Sequence, residues 1–210
     1  MTGLFELFYQ SLRKLKNRPQ PETGGARLLD VAESLREIGR IGELIDGVEL
    51  ERSEALHPRD LEAIAGLIQT YNFIEFNLRR CIELFTHAGL LERNDKVLPI
   101  SRLATVLKSA LEGVEGAEPW ADHLAEIELH RESRNQLAHW AARRIIGEEA
   151  LLILTMNPAE SKKRTGHPSD HQHSTFGIML VKDLEWLVRH VGKYDKMLAE
   201  ATSAWHLRYA

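Results

Sequence analysis

The fold is decided by the stretch DLEAIAGLIQTYNFIEFNLRRCIELFTHA, residues 60–88 of a 210-residue chain. Its apolar residues recur at alternating spacings of three and four, which is the pattern of a helix that buries one face in a bundle. The predicted inward stripe consists of Leu61, Ile64, Ile68, Tyr71, Glu75, Leu78, Ile82 and Phe85. We expect the body of the protein to begin near Pro58, and Gly89 is a typical stop signal for a helix.

Three further helices are predicted by the same periodicity, over approximately residues 101–111, 119–146 and 182–206. The stripe of the helix over 119–146 consists of Trp120, Leu124, Ile127, Arg131, Arg134, Ala138, Ala141 and Ile145. Four helices joined by short connections predict a mainly α protein built as an up-down four-helix bundle.

Two segments are added to the predicted bundle. The apolar runs 150–156 and 175–181 have strand length, so a β-hairpin with a long mobile tip is expected as an insertion at about 147–181, before the last helix. Residues 1–50 are predicted to be an N-terminal helical arm that packs either on the body or on a second subunit. The expected domains are therefore the arm, 1–50, and the bundle with its inserted hairpin, 51–210.

The composition narrows the class of protein. Apolar residues make up 43% of the chain and charged residues 28%, as in soluble globular proteins, and the net charge of −4 restricts any nucleic-acid contact to a local basic patch. The single cysteine, Cys81, is expected to be a packing residue and fits a reducing cytoplasm. No apolar run is long enough for a membrane span, and the first residues do not resemble a signal peptide.

Charged residues interrupt the predicted stripes. Glu75 lies within the stripe of its helix, and Arg131 and Arg134 lie within the stripe of theirs. Because a buried charge is costly unless it is paired, we expect Glu75 to meet Arg134 or Arg131 across the helix interface. Such a pair either fixes the register of two helices or belongs to a functional site, and the sequence leaves both interpretations open.

The residues around Arg134 combine groups suited to a phosphodiester. Arg134 supplies a permanent forked cation, Asn135 an orienting amide and His139 a group that exchanges protons near neutral pH. His130 and Arg143 extend a polar strip along the predicted helix. Since Arg134 and His139 are about 140° apart around an ideal helix, we expect two copies of the helix to meet about a two-fold axis and pool their residues in one cleft.

Arg134, Asn135 and His139 resemble the Arg-X4-6-His motif of the HEPN superfamily, whose members are helical bundles, and the resemblance covers roughly residues 58–207. Glu75 matches a glutamate that often accompanies the motif. The resemblance implies a metal-independent endoribonuclease of toxin–antitoxin or antiviral-defence type. It also implies a homodimer that acts on RNA without a cofactor, with an antitoxin or regulatory protein as a further partner.

The implied chemistry assigns a role to each motif residue. His139 would deprotonate the RNA 2′-OH or protonate the leaving 5′-oxygen, and Arg134 would neutralise the charge on the phosphorane. Asn135 would orient the phosphate or the histidine tautomer, and Glu75 would hold Arg134. The residues expected to bind the substrate beside them are Arg131, Arg143 and His130. The product would carry a 2′,3′-cyclic phosphate.

The sequence also permits two other hypotheses about function. The chain is alternatively a non-catalytic HEPN-like module that binds a nucleotide or forms a regulatory dimer. A third idea is a metal sensor that uses His167, His171 and His173, although a solvated loop is the favoured account of that segment. Glu126 and His130 have helical spacing for a metal pair, but surface charge is the preferred interpretation, and no metal site is predicted.

Overall fold

The structure is a computed structural model that describes residues 31–92, 98–112, 114–166, 168 and 175–210. Within these residues the elements are α1 (Val31–Ile45), β1 (Ser53–Glu54), α2 (Pro58–His87), α3 (Ile100–Leu111), α4 (Trp120–His139), β2 (Ala141–Ile145), β3 (Ala150–Thr155), α5 (Pro158–Thr165), β4 (Thr175–Leu180) and α6 (Val181–Tyr209). The predicted mainly α class is confirmed, with a small antiparallel sheet added. Residues 1–30 of the predicted arm lie outside the described part of the chain.

The chain divides into two compact units, each assembled from separate segments. The first unit contains the residues up to Ile64 together with Asn135–Trp186, and the second contains Ala65–Arg134 and Leu187–Ala210. Helices α2, α4 and α6 each contribute residues to both units. The domain boundary predicted at residue 50 stays a prediction, because compact units of this kind need not be independently folding domains.

The first unit is built on a four-stranded sheet of order β1-β2-β3-β4, in which every neighbouring pair is antiparallel. Helix α1 packs on this sheet through Ile38, Ile41 and Ile45. The sheet residues in the same cluster are Ile145, Ala150, Leu152, Ile178 and Leu180. Alternate residues of β3 and β4 therefore supply one apolar face, as the two-residue repeat of a strand requires.

The segment predicted as a hairpin has strands at both predicted positions, β3 and β4, and these strands pair antiparallel with each other. They are not a separate insertion, because β3 also pairs with β2 in the four-stranded sheet. Within the predicted loop, residues Pro158–Thr165 form α5. The Asn157 side chain caps this helix by accepting hydrogen bonds from N–H groups two and three residues ahead, and Gly166 follows its end with φ +82°. Asn-Pro at the start and glycine at the end were usable sequence signals.

The helix predicted to reach residue 146 ends at His139, and the residues after it form β2. The alanines and arginines of this segment are good helix formers, so local preference favoured the wrong element. Residues 141–144 pair with the apolar strand β3, and Ile145 pairs with Ser53 of β1, so Ile145 lies in the sheet and is 1% exposed. Tertiary burial thus outweighs helix propensity over 141–145.

The second unit contains α3 and most of α2, α4 and α6. The sulfur of Cys81 lies 3.1 Å from the Thr202 hydroxyl, and the Phe85 and Trp205 ring centroids are 5.5 Å apart, so α2 and α6 run parallel. Trp120, at the start of α4, meets Trp205 near the end of α6, as expected for antiparallel helices. The three long helices alternate in direction, and α3 is the short helix predicted over 101–111. The up-down arrangement of all four helices stays a prediction.

The buried stripe of α2 agrees with the predicted stripe at every second position and is displaced by one residue at the others. Four predicted residues are buried, namely Ile64, Tyr71, Leu78 and Phe85. Between them the buried residues are Leu67, Ile74 and Cys81, each one position before the predicted residue. Leu61 is 53% exposed, and Glu75 lies on the flank of the stripe. Burial raises the pKa of the Cys81 thiol to about 11, which fits the packing role predicted for it.

The stripe of α4 agrees with the prediction over its first half only. Beyond Ile127 the buried positions are His130, Ser133, Gln136 and Leu137, whereas the two arginines of the predicted stripe are half-buried beside it. The charges therefore do not occupy the centre of the interface. Among the described residues, no helix is long and apolar enough to cross a membrane.

Candidate functional site

The motif residues Arg134, Asn135 and His139 occupy the last turns of α4, which ends at His139. His139 is exposed, and the other two are half-buried. The Arg134 Nη2 donates a hydrogen bond of 3.1 Å to the Asn72 Oδ1 on α2. The amide of Asn72 thus orients one arm of the guanidinium, which is a role that the sequence interpretation assigned to a glutamate.

The predicted contact of Glu75 with Arg134 or Arg131 is wrong. Glu75 Oε1 accepts a hydrogen bond of 2.6 Å from Arg79 Nη2, one turn along the same helix. Arg131 Nε donates at 2.7 Å to Glu128 Oε1, also within its own helix. Both are partly exposed intrahelical pairs, which typically contribute a few tenths of a kcal/mol. Glu75 and Arg131, which were predicted to take part in a pair across the helix interface, therefore each form an ion pair within their own helix.

Two of the predicted substrate-binding residues lie in unexpected places. Arg143 is on β2, where its Nε donates to the Ser53 hydroxyl at 2.8 Å and its Nη2 to the Ser53 carbonyl at 3.3 Å. It therefore ties β2 to β1 and is not part of a helical strip. His130 is only 1% exposed, so its side chain is not accessible to RNA. The predicted contact of His130 with the substrate therefore does not fit the structure.

A second polar cluster, which we call the Glu126 cluster, lies in the second unit and consists of buried Glu126 and His130 and of half-buried His190. Glu126 and His130 are one turn apart on α4, and His190 comes from α6. The Glu126 Oε2 lies 3.7 Å from the His130 Nε2 and 3.5 Å from the His190 Nε2. The two imidazole rings are nearly perpendicular, with centroids 5.3 Å apart.

The electrostatics of the Glu126 cluster follow from its burial. Burial opposes ionisation of Glu126, but the two imidazoles more than offset it and lower the pKa of the carboxyl to about 2. Burial also lowers the pKa of His130, and the neighbouring His190 acts in the same direction. Glu126, through its hydrogen bond and charge, acts in the opposite direction and raises the pKa of His130, but burial is the largest effect.

Aromatic side chains surround the outer side of the Glu126 cluster. The Tyr194 ring packs edge-on against His190, with centroids 5.2 Å apart, and the His123 ring lies 5.5 Å from Tyr194. Burial raises the pKa of the Tyr194 hydroxyl to about 12 and lowers the pKa of His123. These rings hold the His190 imidazole in a fixed orientation by packing.

Surface charge, the favoured account of Glu126 and His130, is wrong, because both side chains are buried. The spacing of Glu126 and His130 is visible in the sequence, whereas His190 was missed. A usable signal existed, because Leu187 and Val191 have the spacing of one helix face and His190 directly precedes Val191. The His-rich segment around residue 171 lies outside the described residues.

No protein-family model, curated protein or solved structure matches this chain. The chemistry of the motif residues and of the Glu126 cluster is therefore argued from the side chains of this chain alone. The two sets of residues share no member, so each supports a separate hypothesis with a separate test.

Proposed function

We propose that this chain is a metal-independent endoribonuclease of HEPN type, in which Arg134, Asn135 and His139 act on an RNA phosphodiester. The observation that carries the proposal is the placement of the motif at the end of α4. There His139 is exposed, and Asn72 orients the guanidinium of Arg134. An accessible proton-transfer group and a positioned cation are what cleavage by the 2′-OH needs from a protein.

The proposed reaction uses neither a metal ion nor a cofactor. His139 removes the proton of the 2′-OH or donates one to the leaving 5′-oxygen, while Arg134 balances the charge that builds on the phosphorane. Asn135 orients the phosphate or the histidine. Asn72 takes the positioning role that the sequence had suggested for Glu75. The products are a 2′,3′-cyclic phosphate and a 5′-hydroxyl end.

A homodimer is part of the proposal. Arg134 and His139 project about 140° apart around one helix, so a second copy of α4 is the simplest source of the complementary residue. The RNA would lie in the cleft between the two copies. An antitoxin or regulatory protein that covers this cleft would be a further partner of a toxin or antiviral-defence effector.

The first experiment is RNA cleavage by the purified full chain in EDTA, with tRNA among the substrates. We expect the wild type to leave 2′,3′-cyclic phosphate ends. We expect His139→Ala and Arg134→Ala each to lower the rate at least about 100-fold, the usual size of a lost general acid–base or electrostatic group. His206→Ala is the matched control, because His206 is an exposed histidine on α6. A His139→Ala protein that cleaves as fast as wild type would refute the assignment.

The alternative is a non-catalytic HEPN-like module that binds a nucleotide or regulates a partner as a dimer. Expression in cells separates the two functions. A ribonuclease toxin slows growth and His139→Ala restores it, whereas a binding module leaves growth unchanged with either protein. If neither growth inhibition nor cleavage of several RNAs is observed, the binding module replaces the enzyme as the better account.

A further inference from the structure

We propose that Glu126, His130 and His190 form a binding site for a divalent transition-metal ion of the zinc class. The three residues offer one carboxylate and two imidazole ligands, and their ligand atoms all lie within 4.8 Å of one another. This site shares no residue with the motif of the proposed ribonuclease and goes beyond that function. It also replaces the sequence-based expectation that the chain carries no metal.

The spacing of the ligand atoms suits a shared metal ion. The Glu126 Oε2 lies 3.7 Å from the His130 Nε2 and 3.5 Å from the His190 Nε2. Two tetrahedral ligands that are each about 2.1 Å from a zinc ion lie about 3.4 Å apart. The two distances from Glu126 are close to this value, and the ligand atoms of the two histidines lie within 4.8 Å of each other, so the three atoms can converge on one ion.

The burial and charge of the site favour the same class of ligand. Glu126 is 8% exposed and His130 is 1% exposed, so a carboxyl group and an imidazole face each other inside a helical unit. A divalent cation would neutralise the carboxylate, and neutral imidazole is the form that binds metals. Imidazole and carboxylate together suit zinc, iron and cobalt, whereas calcium and magnesium prefer sites made of oxygen ligands alone.

The site also has the means to orient and admit an ion. The side chain of His190 is 20% exposed, which provides an entry path from solvent. The edge-on packing of Tyr194 fixes the His190 ring, as outer residues commonly do for metal ligands. Three protein ligands leave one position of a tetrahedral zinc ion for water or a small ligand.

The test is Co²⁺ binding by the full chain after removal of metals with EDTA. The background is a triple variant, His167→Ala with His171→Ala and His173→Ala, which eliminates binding by the His-rich segment. We expect one Co²⁺ per chain with the visible absorption bands of a tetrahedral site, and displacement of the Co²⁺ by Zn²⁺. The triple variant failing to bind Co²⁺ or Zn²⁺ would overturn the proposal.

The deciding variant is His190→Ala in the same background, because the partial exposure of His190 limits damage to folding. Losing an outer partner of a metal ligand costs 10–100-fold in affinity, so losing a ligand is expected to cost at least about 100-fold. His206→Ala, on the same helix, should leave binding unchanged. Far-ultraviolet circular dichroism shows whether His190→Ala is folded. We expect Zn²⁺ to raise the Tm of the parent but not that of His190→Ala, which separates loss of binding from loss of folding.

Unchanged Co²⁺ affinity in folded His190→Ala would show that the Glu126 cluster is not the site. The readout is metal binding and not RNA cleavage. Cleavage in EDTA depends on Arg134 and His139, so either proposal can fail without the other.

Discussion

At the residue scale, the ion pair of Arg144 with Asp60 joins β2 to the first turn of α2. Both Asp60 oxygens accept hydrogen bonds from Arg144 Nη1, at 2.7 Å and 2.9 Å, and the two residues are 0% and 3% exposed. Asp60 also accepts from the His57 N–H at 3.0 Å, which caps the start of α2. Arg144 donates to Glu149 as well, so its charge is enclosed by two carboxylates.

Replacing Asp60 should therefore lower the free energy of unfolding substantially. Asp60→Asn leaves the Arg144 charge buried without its principal partner, and breaking a buried pair in this way typically costs about 3–5 kcal/mol of folding free energy. Urea denaturation followed by circular dichroism measures the change. Glu185→Gln is the control, because the pair of Glu185 with Arg59 is exposed and should contribute less than about 1 kcal/mol. Equal losses in the two variants would contradict this account.

At the element scale, the long helices were predicted correctly in position but not in the centre of their buried stripes. The apolar arc of a helix spans 100° or more, which is the angle between successive residues. Periodicity therefore identifies the arc, but it can misplace the centre of the arc by one residue. In α2 that single position moves Glu75 from the predicted interface to its flank. In α4 it replaces Arg131 by His130 as the buried residue. The neighbouring helices decide the centre, and their side chains are far away in sequence.

Two glycines provide an element-scale test with opposite expected signs. Gly147, in the turn between β2 and β3, has φ +78°, whereas Gly192 lies within α6; an added Cβ would meet nothing within 4 Å at either position. Gly147→Ala should destabilise the protein by about 1–2 kcal/mol, because L residues are strained at positive φ. Gly192→Ala should stabilise it by about 0.5–1 kcal/mol through helix propensity. Unfolding free energies from urea titrations would contradict this account if both changes had the same sign.

At the scale of the whole molecule, the described chain contains two compact units, and three long helices contribute to both. One unit rests on a sheet covered by α1, and the other on helices that enclose the Glu126 cluster. A division of this kind cannot be seen as a boundary in the sequence, because neither unit is a continuous segment of the chain.

A whole-molecule prediction concerns the dimer and rests on the proposed ribonuclease. If two copies pool their residues in one cleft, mixing Arg134→Ala with His139→Ala should restore RNA cleavage that neither variant has alone. Subunits are exchanged by co-expression, and cleavage is measured in EDTA. A mixture of His139→Ala with the Arg134→Ala/His139→Ala double variant supplies no intact histidine and should stay inactive. A mixture of the single variants that also stays inactive would argue against a shared cleft.

The sequence by itself determined the mainly α class, the positions of four helices and the two apolar strands β3 and β4. Each of these features depends on the periodicity of apolar residues or on turn residues, and both can be recognised from residues that are close together in the sequence. Only the tertiary structure decided that 141–145 is a strand, that Glu75 pairs with Arg79 and that His190 meets Glu126 and His130. These outcomes depend on contacts between segments that are distant in the sequence. The free energies of burial and strand pairing in those contacts exceed the helix and strand propensities of the individual residues, on which a sequence-based prediction depends.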